Sequence, residues 1–143
     1  MKHLLIFVVG IVATSANAGH ELEDRNVANG QALYAEHCAT CHGKNLEGQP
    51  NWRTPDESGV LPAPPHDETG HTWHHDNALL FEYTHRGGEA ALALRGVVGF
   101  TSGMPGFGEI ITDDDIWDIL AYIRSTWSER VQEVQAARNR PHD

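Results

Sequence analysis

The chain has 143 residues, and its 20 acidic side chains outnumber its 10 lysines and arginines, which gives a formal net charge of −10. A surface this acidic excludes binding to nucleic acids or anionic lipids through charge. The length fits a single domain.

The N-terminus has the pattern of a secretory signal peptide. A positive start at Lys2 precedes an apolar run at residues 4–13 and the sequence Ala-Asn-Ala at residues 16–18, which is typical of a cleavage site. The apolar run is too short for a transmembrane helix, which needs about 20 residues. We therefore predict a signal peptide, residues 1–18, that is removed on export to a bacterial periplasm. The mature domain, residues 19–143, would have no membrane span.

Residues 25–37 have the periodicity of a helix. Val27, Gly30, Tyr34 and Cys38 recur every three or four residues and so share one face. A glycine in a helix interior costs about 1 kcal/mol relative to alanine. Gly30 therefore suggests that the backbone of another element approaches the helix closely at this point.

The sequence Cys-Ala-Thr-Cys-His follows this helix at residues 38–42. Cys-x-x-Cys-His is the attachment signature of c-type haem: two thiols form thioethers with the vinyl groups, and the histidine binds the iron. Cys38 and Cys41 are the only cysteines of the chain. A thioredoxin-like redox pair would need a βαβ pattern and a structural zinc site would need four ligands, and the surrounding sequence offers neither. The motif predicts one covalent haem c, bound through Cys38 and Cys41, with His42 as an axial ligand.

A long loop is predicted after the motif, over residues 43–72. A loop of this length in a small domain usually has a function, and wrapping a cofactor would be one. A proline in the loop could also direct a carbonyl oxygen to the second ring nitrogen of His42, which would fix the ring and tune the iron. The glycines and prolines of the loop are Gly43, Gly48, Gly59, Gly70, Pro50, Pro55, Pro62, Pro64 and Pro65.

The next predicted helix covers residues 77–86. Asp76 before it is a favourable N-cap, and Gly87 directly after it is a typical terminator. Another loop is expected from Gly88 to Gly103. It leads into the sequence Gly-Met-Pro-Gly-Phe-Gly, which begins at Gly103.

The last clear helix begins at Thr112. Three aspartates, residues 113–115, occupy its first turn, where the helix dipole favours negative charge. The tail at residues 128–143 is predicted either to extend this helix or to fray. The helix has an apolar stripe at helical spacing, formed by Ile116, Ile119, Leu120, Ile123 and Trp127.

Met104 is the first candidate for the other axial position of the iron. Apart from Met1 it is the only methionine, and it lies in a glycine- and proline-rich turn, where a core-filling methionine is not expected. Water, an open position or a histidine are the alternatives, and a second histidine would lower the reduction potential relative to methionine. The competing histidines are His66, His71, His74, His75 and His85.

The region between His66 and His75 allows further interpretations. Its histidine cluster, His66–His75, could bind copper or zinc at the surface, although most such histidines are solvated or bonded to loop carbonyls. Trp73 has an indole N–H that needs an acceptor when buried. A haem propionate would provide that acceptor and make Trp73 a cofactor-binding residue; plain core packing is the alternative.

Together these features resemble class I cytochrome c, and the resemblance covers roughly residues 26–127. It implies an all-α fold with three main helices and loops wrapped around one covalent haem. In that family the terminal helices cross closely, and a glycine of one meets an aromatic residue of the other. Gly30 against Tyr122 would be that crossing here.

The resemblance also implies roles for individual residues. The two cysteines of the motif would bind haem covalently, with His42 as the proximal ligand and Met104 as the distal ligand. Pro64 is the preferred candidate for the family's proline that supports the proximal histidine, and Pro50 is its rival. Residues 63–75 are similar to a bacterial branch of small exported cytochromes.

We expect a one-electron carrier rather than an enzyme, working either free or as a subunit of a redox enzyme. With His42 and Met104 both on the iron, no axial position remains for a substrate. Loss of Lys2 with the signal peptide leaves nine basic and 20 acidic side chains, a net charge of −11, and this departs from the lysine-rich mitochondrial type. We predict a monomer that docks transiently through a basic patch on a redox partner, namely a terminal oxidase, a reductase or a dehydrogenase.

Two alternative functions remain open at this point. If Met104 does not bind the iron, the open position would suit a haem enzyme or a sensor of peroxide, nitric oxide or carbon monoxide. If the histidine cluster His66–His75 binds a metal, the chain would handle that metal and use the haem as its redox partner.

Overall fold

The computed structural model describes residues 20–139, so the predicted signal peptide and the end of the predicted tail lie outside the described residues. Within that range all regular structure is helical, which confirms the predicted all-α class. None of these helices has the length and apolar character needed to cross a membrane. The helices are α1 (Val27–His37), α2 (Ala39–His42), α3 (Asn77–Arg86), α4 (Gly88–Leu94), α5 (Asp113–Ser125) and α6 (Glu129–Ala136), with 3-10 turns at His20–Leu22 and Thr72–His74.

The three longest helices begin at side chains that satisfy free backbone N–H groups. The Asn26 side chain accepts a hydrogen bond from the Asn29 N–H at α1, and the Asp76 side chain accepts one from Leu79 at α3. At α5, Thr112 and Asp115 form a reciprocal capping box. These short polar side chains fix where each helix starts.

Helices α1 and α5 form the main helix–helix contact of the fold, and they meet closely at Gly30. A Cβ atom at Gly30 would lie 2.0 Å from the carbonyl oxygen of Asp118 and 3.0 Å from the backbone nitrogen of Ile119. The close approach that Gly30 suggests is therefore present, but the nearest atoms belong to Asp118 and Ile119. Tyr122, one turn later, pairs instead with Tyr34, with ring centroids 5.5 Å apart.

A polar contact accompanies this crossing. The carboxylate of Asp118 accepts hydrogen bonds from the Asn26 backbone N–H at 3.1 Å and from the Asn29 side-chain amide at 2.9 Å. Asp118 is buried, so these bonds compensate for the removal of its charge from water. They also fix the register of α1 along α5.

Two groups of buried apolar side chains lie on either side of α5. The first joins α1 and the Cys-x-x-Cys-His motif to the end of α5; its buried members are Tyr34, Cys38, Leu46, Ile119, Ile123 and Trp127. The second joins the N-terminal turn to the start of α5; its buried members are Leu22, Ile116, Leu120 and Ala121. Helix α5 thus forms the centre of the core.

Two regions differ from the sequence-based expectations. Residues 88–94 form α4, where a loop was expected, because Gly87 at φ +85° ends α3 and turns the chain directly into a run of helix-forming residues. The tail, predicted to be helical or frayed, is helical in its described part, but it does not extend α5. Helix α5 ends at Ser125, and after a short break Ser128 precedes the separate helix α6.

Replacement of Gly30 by alanine is expected to destabilise the protein by about 2–3 kcal/mol, because the new methyl group would overlap the Asp118 carbonyl. Intrinsic helix propensity alone would give a gain of about 1 kcal/mol. Denaturant unfolding measures the difference. The control is Ala28→Gly, at an exposed position of α1. Only the intrinsic helix propensity changes there, so the free energy of unfolding should fall by about 1 kcal/mol. A Gly30→Ala protein as stable as the unmodified one would contradict the close crossing.

Candidate haem site

The Cys-x-x-Cys-His motif forms a single helical turn. The backbone N–H groups of Cys41 and His42 both donate to the Cys38 carbonyl, at 3.1 and 2.9 Å. Residues three and four apart in a helix share a face, so the turn places Cys38, Cys41 and His42 on one side. Both cysteines are free thiols, one buried and one exposed. Burial, with a smaller contribution from Cys41, raises the pKa of the Cys38 thiol to about 11.

His42 is held by one of its two ring nitrogens. Its Nδ1 lies 2.8 Å from the carbonyl oxygen of Pro64, and because a carbonyl can only accept, Nδ1 carries the proton. Burial lowers the pKa of His42, although the bond to Pro64 acts in the opposite direction. The ring is therefore neutral at physiological pH, and the lone pair of Nε2 remains for a metal.

Nε2 of His42 is open to a ligand. It has no hydrogen-bond partner among residues 20–139. Every fully buried side-chain nitrogen or oxygen atom in that range does have a partner. Nε2 must therefore reach the surface of the site. A neutral imidazole with Nδ1 bonded to a carbonyl and Nε2 free, on one helical face with two free thiols, fits the axial and covalent attachments that a c-type haem needs.

The Pro64 carbonyl is positioned by a second stretch of the loop, which runs beside it. The backbone N–H of His66 donates to the Leu46 carbonyl at 2.8 Å, and the Gln49 N–H donates to the Ala63 carbonyl at 2.8 Å. The side chain of Gln49 also accepts from the Ala63 N–H at 2.9 Å. These bonds hold the chain on both sides of Pro64.

Gly48 makes this side-by-side arrangement possible. Its φ is +67°, and a Cβ atom there would lie 2.4 Å from the backbone nitrogen of Pro65 and 2.7 Å from the carbonyl carbon of Pro64. Only a residue without a side chain fits so close to the backbone of the two prolines. Pro64, rather than its rival Pro50, supplies the carbonyl next to His42.

The ring of His66 stacks on the ring of His42, with centroids 4.0 Å apart and planes 24° apart. Its Nδ1 lies 2.8 Å from the hydroxyl oxygen of Thr72. Two axial imidazoles must point at one metal from opposite sides, whereas these two rings lie face to face. In this arrangement His66 supports the flank of His42 and does not share an iron with it.

Met104 lies in a loop that is bound to the junction of α3 and α4. The Gly88 N–H donates to the Met104 carbonyl at 3.2 Å, and the Phe107 N–H donates to the Thr84 carbonyl at 2.9 Å. The side chain of Met104 is half-buried and borders an open depression between α4 and this loop. Backbone contacts at both ends thus fix the position from which the methionine extends.

The methionine loop also contacts the end of α1. The ring of His37, directly before Cys38, meets the ring of Phe107 edge to face, with centroids 6.1 Å apart. The structure therefore brings Cys38, Cys41, His42 and Pro64 into one group and joins the methionine loop to that group through this pair of rings.

Trp73 and the histidines around it contact one another and the loop. The indole N–H of Trp73 donates to the Glu68 carbonyl at 3.2 Å, so a protein acceptor already satisfies it. His71 stacks on Trp52 at 5.2 Å and meets His75 edge to face at 5.2 Å. No three histidine, cysteine or acidic side chains of residues 20–139 are grouped to hold a metal ion.

Several contributors to the site were not identified from the sequence. The sequence predicts Gly48, Leu46 and Gln49 only as part of a loop, although the positive φ of Gly48 is the kind of feature that a loop glycine can signal. The sequence presents His66 as a possible metal ligand or as a solvated or carbonyl-bonded loop histidine, not as a neighbour of His42. Its place two residues after Pro64 was the available sign that it lies beside the proximal histidine.

The helical fold, the motif turn and the bonded His42 together define a haem-binding protein of the c type. In agreement, the family profile described as Cytochrome c matches residues 27–127. The chain belongs to the cytochrome c family, which implies a covalent haem c.

The chain is also similar to a thiosulfate dehydrogenase of Stutzerimonas stutzeri (strain A1501), with 30% identity over 127 residues. The match covers 80% of this chain but only 36% of that relative, so the chain spans little more than a third of its length. No solved structure gives a significant match.

Replacement of Gly48 by alanine should raise the reduction potential of the holoprotein. The methyl group would push the Pro64–Pro65 backbone away and weaken the hydrogen bond at His42 Nδ1, which makes the imidazole a weaker donor to ferric iron. Only the part of the bond energy that differs between the ferric and ferrous states moves the potential, so a net bond energy of about 0.5–1.5 kcal/mol sets an upper bound of about 20–60 mV for one electron. Potentiometry of the holoprotein measures the shift.

Gly59→Ala is the matched control for this variant. Gly59 has a similar left-handed φ of +84°, but a Cβ atom there would meet nothing within 4 Å. Alanine at this position introduces a similar backbone strain but no contact with the prolines. Equal potentials in the two variants would show that the position of Pro64 does not affect the iron.

Proposed function

We propose that this protein is a periplasmic one-electron carrier with a single haem c, attached through Cys38 and Cys41 and ligated by His42 and Met104. The observation that carries the proposal is the hydrogen bond between His42 Nδ1 and the Pro64 carbonyl, which leaves Nε2 free beside two free thiols. Membership of the cytochrome c family supports the same chemistry. When bound, haem c supplies a ferrous/ferric couple that exchanges one electron.

The residues of the chain have separate roles in this proposal. His42 is neutral and oriented, so it binds without first losing a proton or rotating. The backbone bonds of the methionine loop fix the position from which Met104 extends, so we expect this ligand to move little between the two oxidation states. Ligands that move little on electron transfer keep the reorganisation energy of the reaction small. With both axial positions filled, the protein itself has no substrate and is not an enzyme.

The acidic surface supports transient docking to a partner with a basic patch. The chain has twice as many acidic as basic side chains, and Asp113 and Asp114 at the start of α5 are largely exposed. Complementary charge speeds encounter and is weakened by salt, as a short-lived electron-transfer complex requires. The similarity to part of a thiosulfate dehydrogenase is consistent with a redox partner of the dehydrogenase class, or with a place as a subunit of such an enzyme.

The location belongs to the proposal as well. Residues 1–18 have the composition of a cleavable signal peptide, and bacterial c-type haem is attached outside the cytoplasm. The working domain would then be residues 19–143. Mass spectrometry of the exported protein would give its first residue and the mass added by one haem.

The visible spectrum of the holoprotein tests the axial ligands. The ferric form should show the weak far-red band of sulfur-to-iron charge transfer, and the ferrous form should not bind carbon monoxide. Met104→Ala should abolish the band and allow carbon monoxide to bind, because it removes the sulfur ligand.

The control for the distal ligand is His85→Ala. His85 lies against the methionine loop, where its carbonyl accepts from the Gly108 N–H, and this backbone bond survives the substitution. The variant should keep the far-red band. Carbon monoxide binding by the unmodified protein would contradict the carrier and favour an enzyme or sensor, and a stoichiometric metal besides iron would favour metal handling.

A further inference from the structure

The chain continues beyond the region that it shares with its family, and this continuation packs on the loop near His42. The family match ends at Trp127, whereas α6 covers Glu129–Ala136 and contacts the 3-10 turn Thr72–His74. We call residues 127–139 the C-terminal strap and residues 66–77 the proximal segment, because the latter begins two residues after Pro64.

The first end of the strap binds the start of the proximal segment. Trp127 is 4% exposed, and its indole N–H donates to the His66 carbonyl at 2.8 Å. The backbone N–H of Ser128 donates to the carboxylate of Glu68. His66 is the residue whose ring stacks on His42, so this contact lies next to the proximal ligand.

The second end of the strap binds the end of the proximal segment. Gln135 is 1% exposed, and its amide donates to the Asn77 side-chain oxygen at 2.7 Å and to the His75 carbonyl at 3.2 Å. The Asn77 backbone N–H in turn donates to the side-chain oxygen of Asn139 at 2.7 Å. A glutamine this deeply buried forms its hydrogen bonds within the protein and not with solvent.

These contacts hold the loop that carries Pro64 from its downstream side. The upstream side is held by the bonds of Leu46 and Gln49, as described above. Without the strap, the proximal segment would still be held at its start by the N–H groups of His66 and Asp67, which donate to the Leu46 carbonyl, and by its internal bonds. It would lose the hydrogen bonds at the His66 carbonyl, at the His75 carbonyl and at the Asn77 backbone N–H. The carbonyl of Pro64 and the ring of His66 would then have more freedom relative to His42.

We propose that the C-terminal strap sets the reduction potential of the protein by holding the proximal segment against His42, and that Gln135 is the positioning residue at its second end. This inference rests on the proposed ligation of haem iron by His42. Apart from Trp127, the strap lies outside the matched family domain, so the inference gives residues beyond that domain an effect on the electronic properties of the site.

Gln135→Leu tests the strap in the intact holoprotein. The substitution keeps a side chain of similar bulk and no charge but removes the donor to His75 and Asn77. The equilibrium constant for reduction should rise about threefold, which is about 30 mV for one electron, because the bond at His42 Nδ1 weakens. The far-red band should remain, since Met104 is not in contact with the strap residues named here.

Gln132→Leu is the matched control. It makes the same substitution on the same helix, but the Gln132 amide donates to the Trp127 carbonyl, within the strap itself. Its potential should equal that of the unmodified protein. Asn139→Ala provides a second variant at a less buried position, in case Gln135→Leu folds poorly, and should raise the potential in the same direction.

The outcomes separate the strap from the carrier function. Variants that lose stability but keep the original reduction potential would contradict the proposed effect of the strap and leave the proposed function intact. A raised reduction potential in Gln135→Leu and Asn139→Ala, together with an unchanged potential in Gln132→Leu, would support the proposed effect of the strap. An unmodified holoprotein without the far-red band would contradict the proposed Met104 ligation, whatever the variants show.

Discussion

The hydrogen bond from His42 Nδ1 to the Pro64 carbonyl determines which ring nitrogen stays free to bind a metal, and it joins groups 22 residues apart in the chain. Closing a loop of that length costs about 3 kcal/mol of chain entropy. A single hydrogen bond contributes about 1 kcal/mol. The bond therefore depends on its surroundings, and the paired backbone around Leu46 and Gln49 supplies the additional contacts that keep the loop closed.

Features that depend on neighbours within four residues could be predicted from the sequence. The helix starts at Asp76 and Thr112 were predicted because a short polar side chain reaches backbone N–H groups only two or three residues ahead. The motif turn is local in the same sense, since its spacing alone puts the thiols and the histidine on one face. Gly30 could be singled out because its cost in a helix needs an explanation, which the Asp118 carbonyl provides.

Features that depend on distant parts of the chain could not be predicted in this way. Nothing near Gly48 in sequence shows that its backbone will run beside Pro64, and nothing near Gln135 shows that it will be buried against Asn77. Helix α4 was missed for a different reason. A glycine pair reads as a loop, yet here Gly87 turns the chain so sharply that a new helix starts at the very next residue. The acceptor of the Trp73 indole likewise depended on the path of the loop.

The pairing of α1 with α5 has a consequence for the order of events during folding. Cys38 belongs to the buried group that α1 and α5 form together, so its thiol is covered only when the two helices have packed. Burial raises the pKa of this thiol to about 11, and the folded chain therefore holds almost no thiolate at Cys38. A reaction that needs this thiolate is easier before the two helices pack together than after.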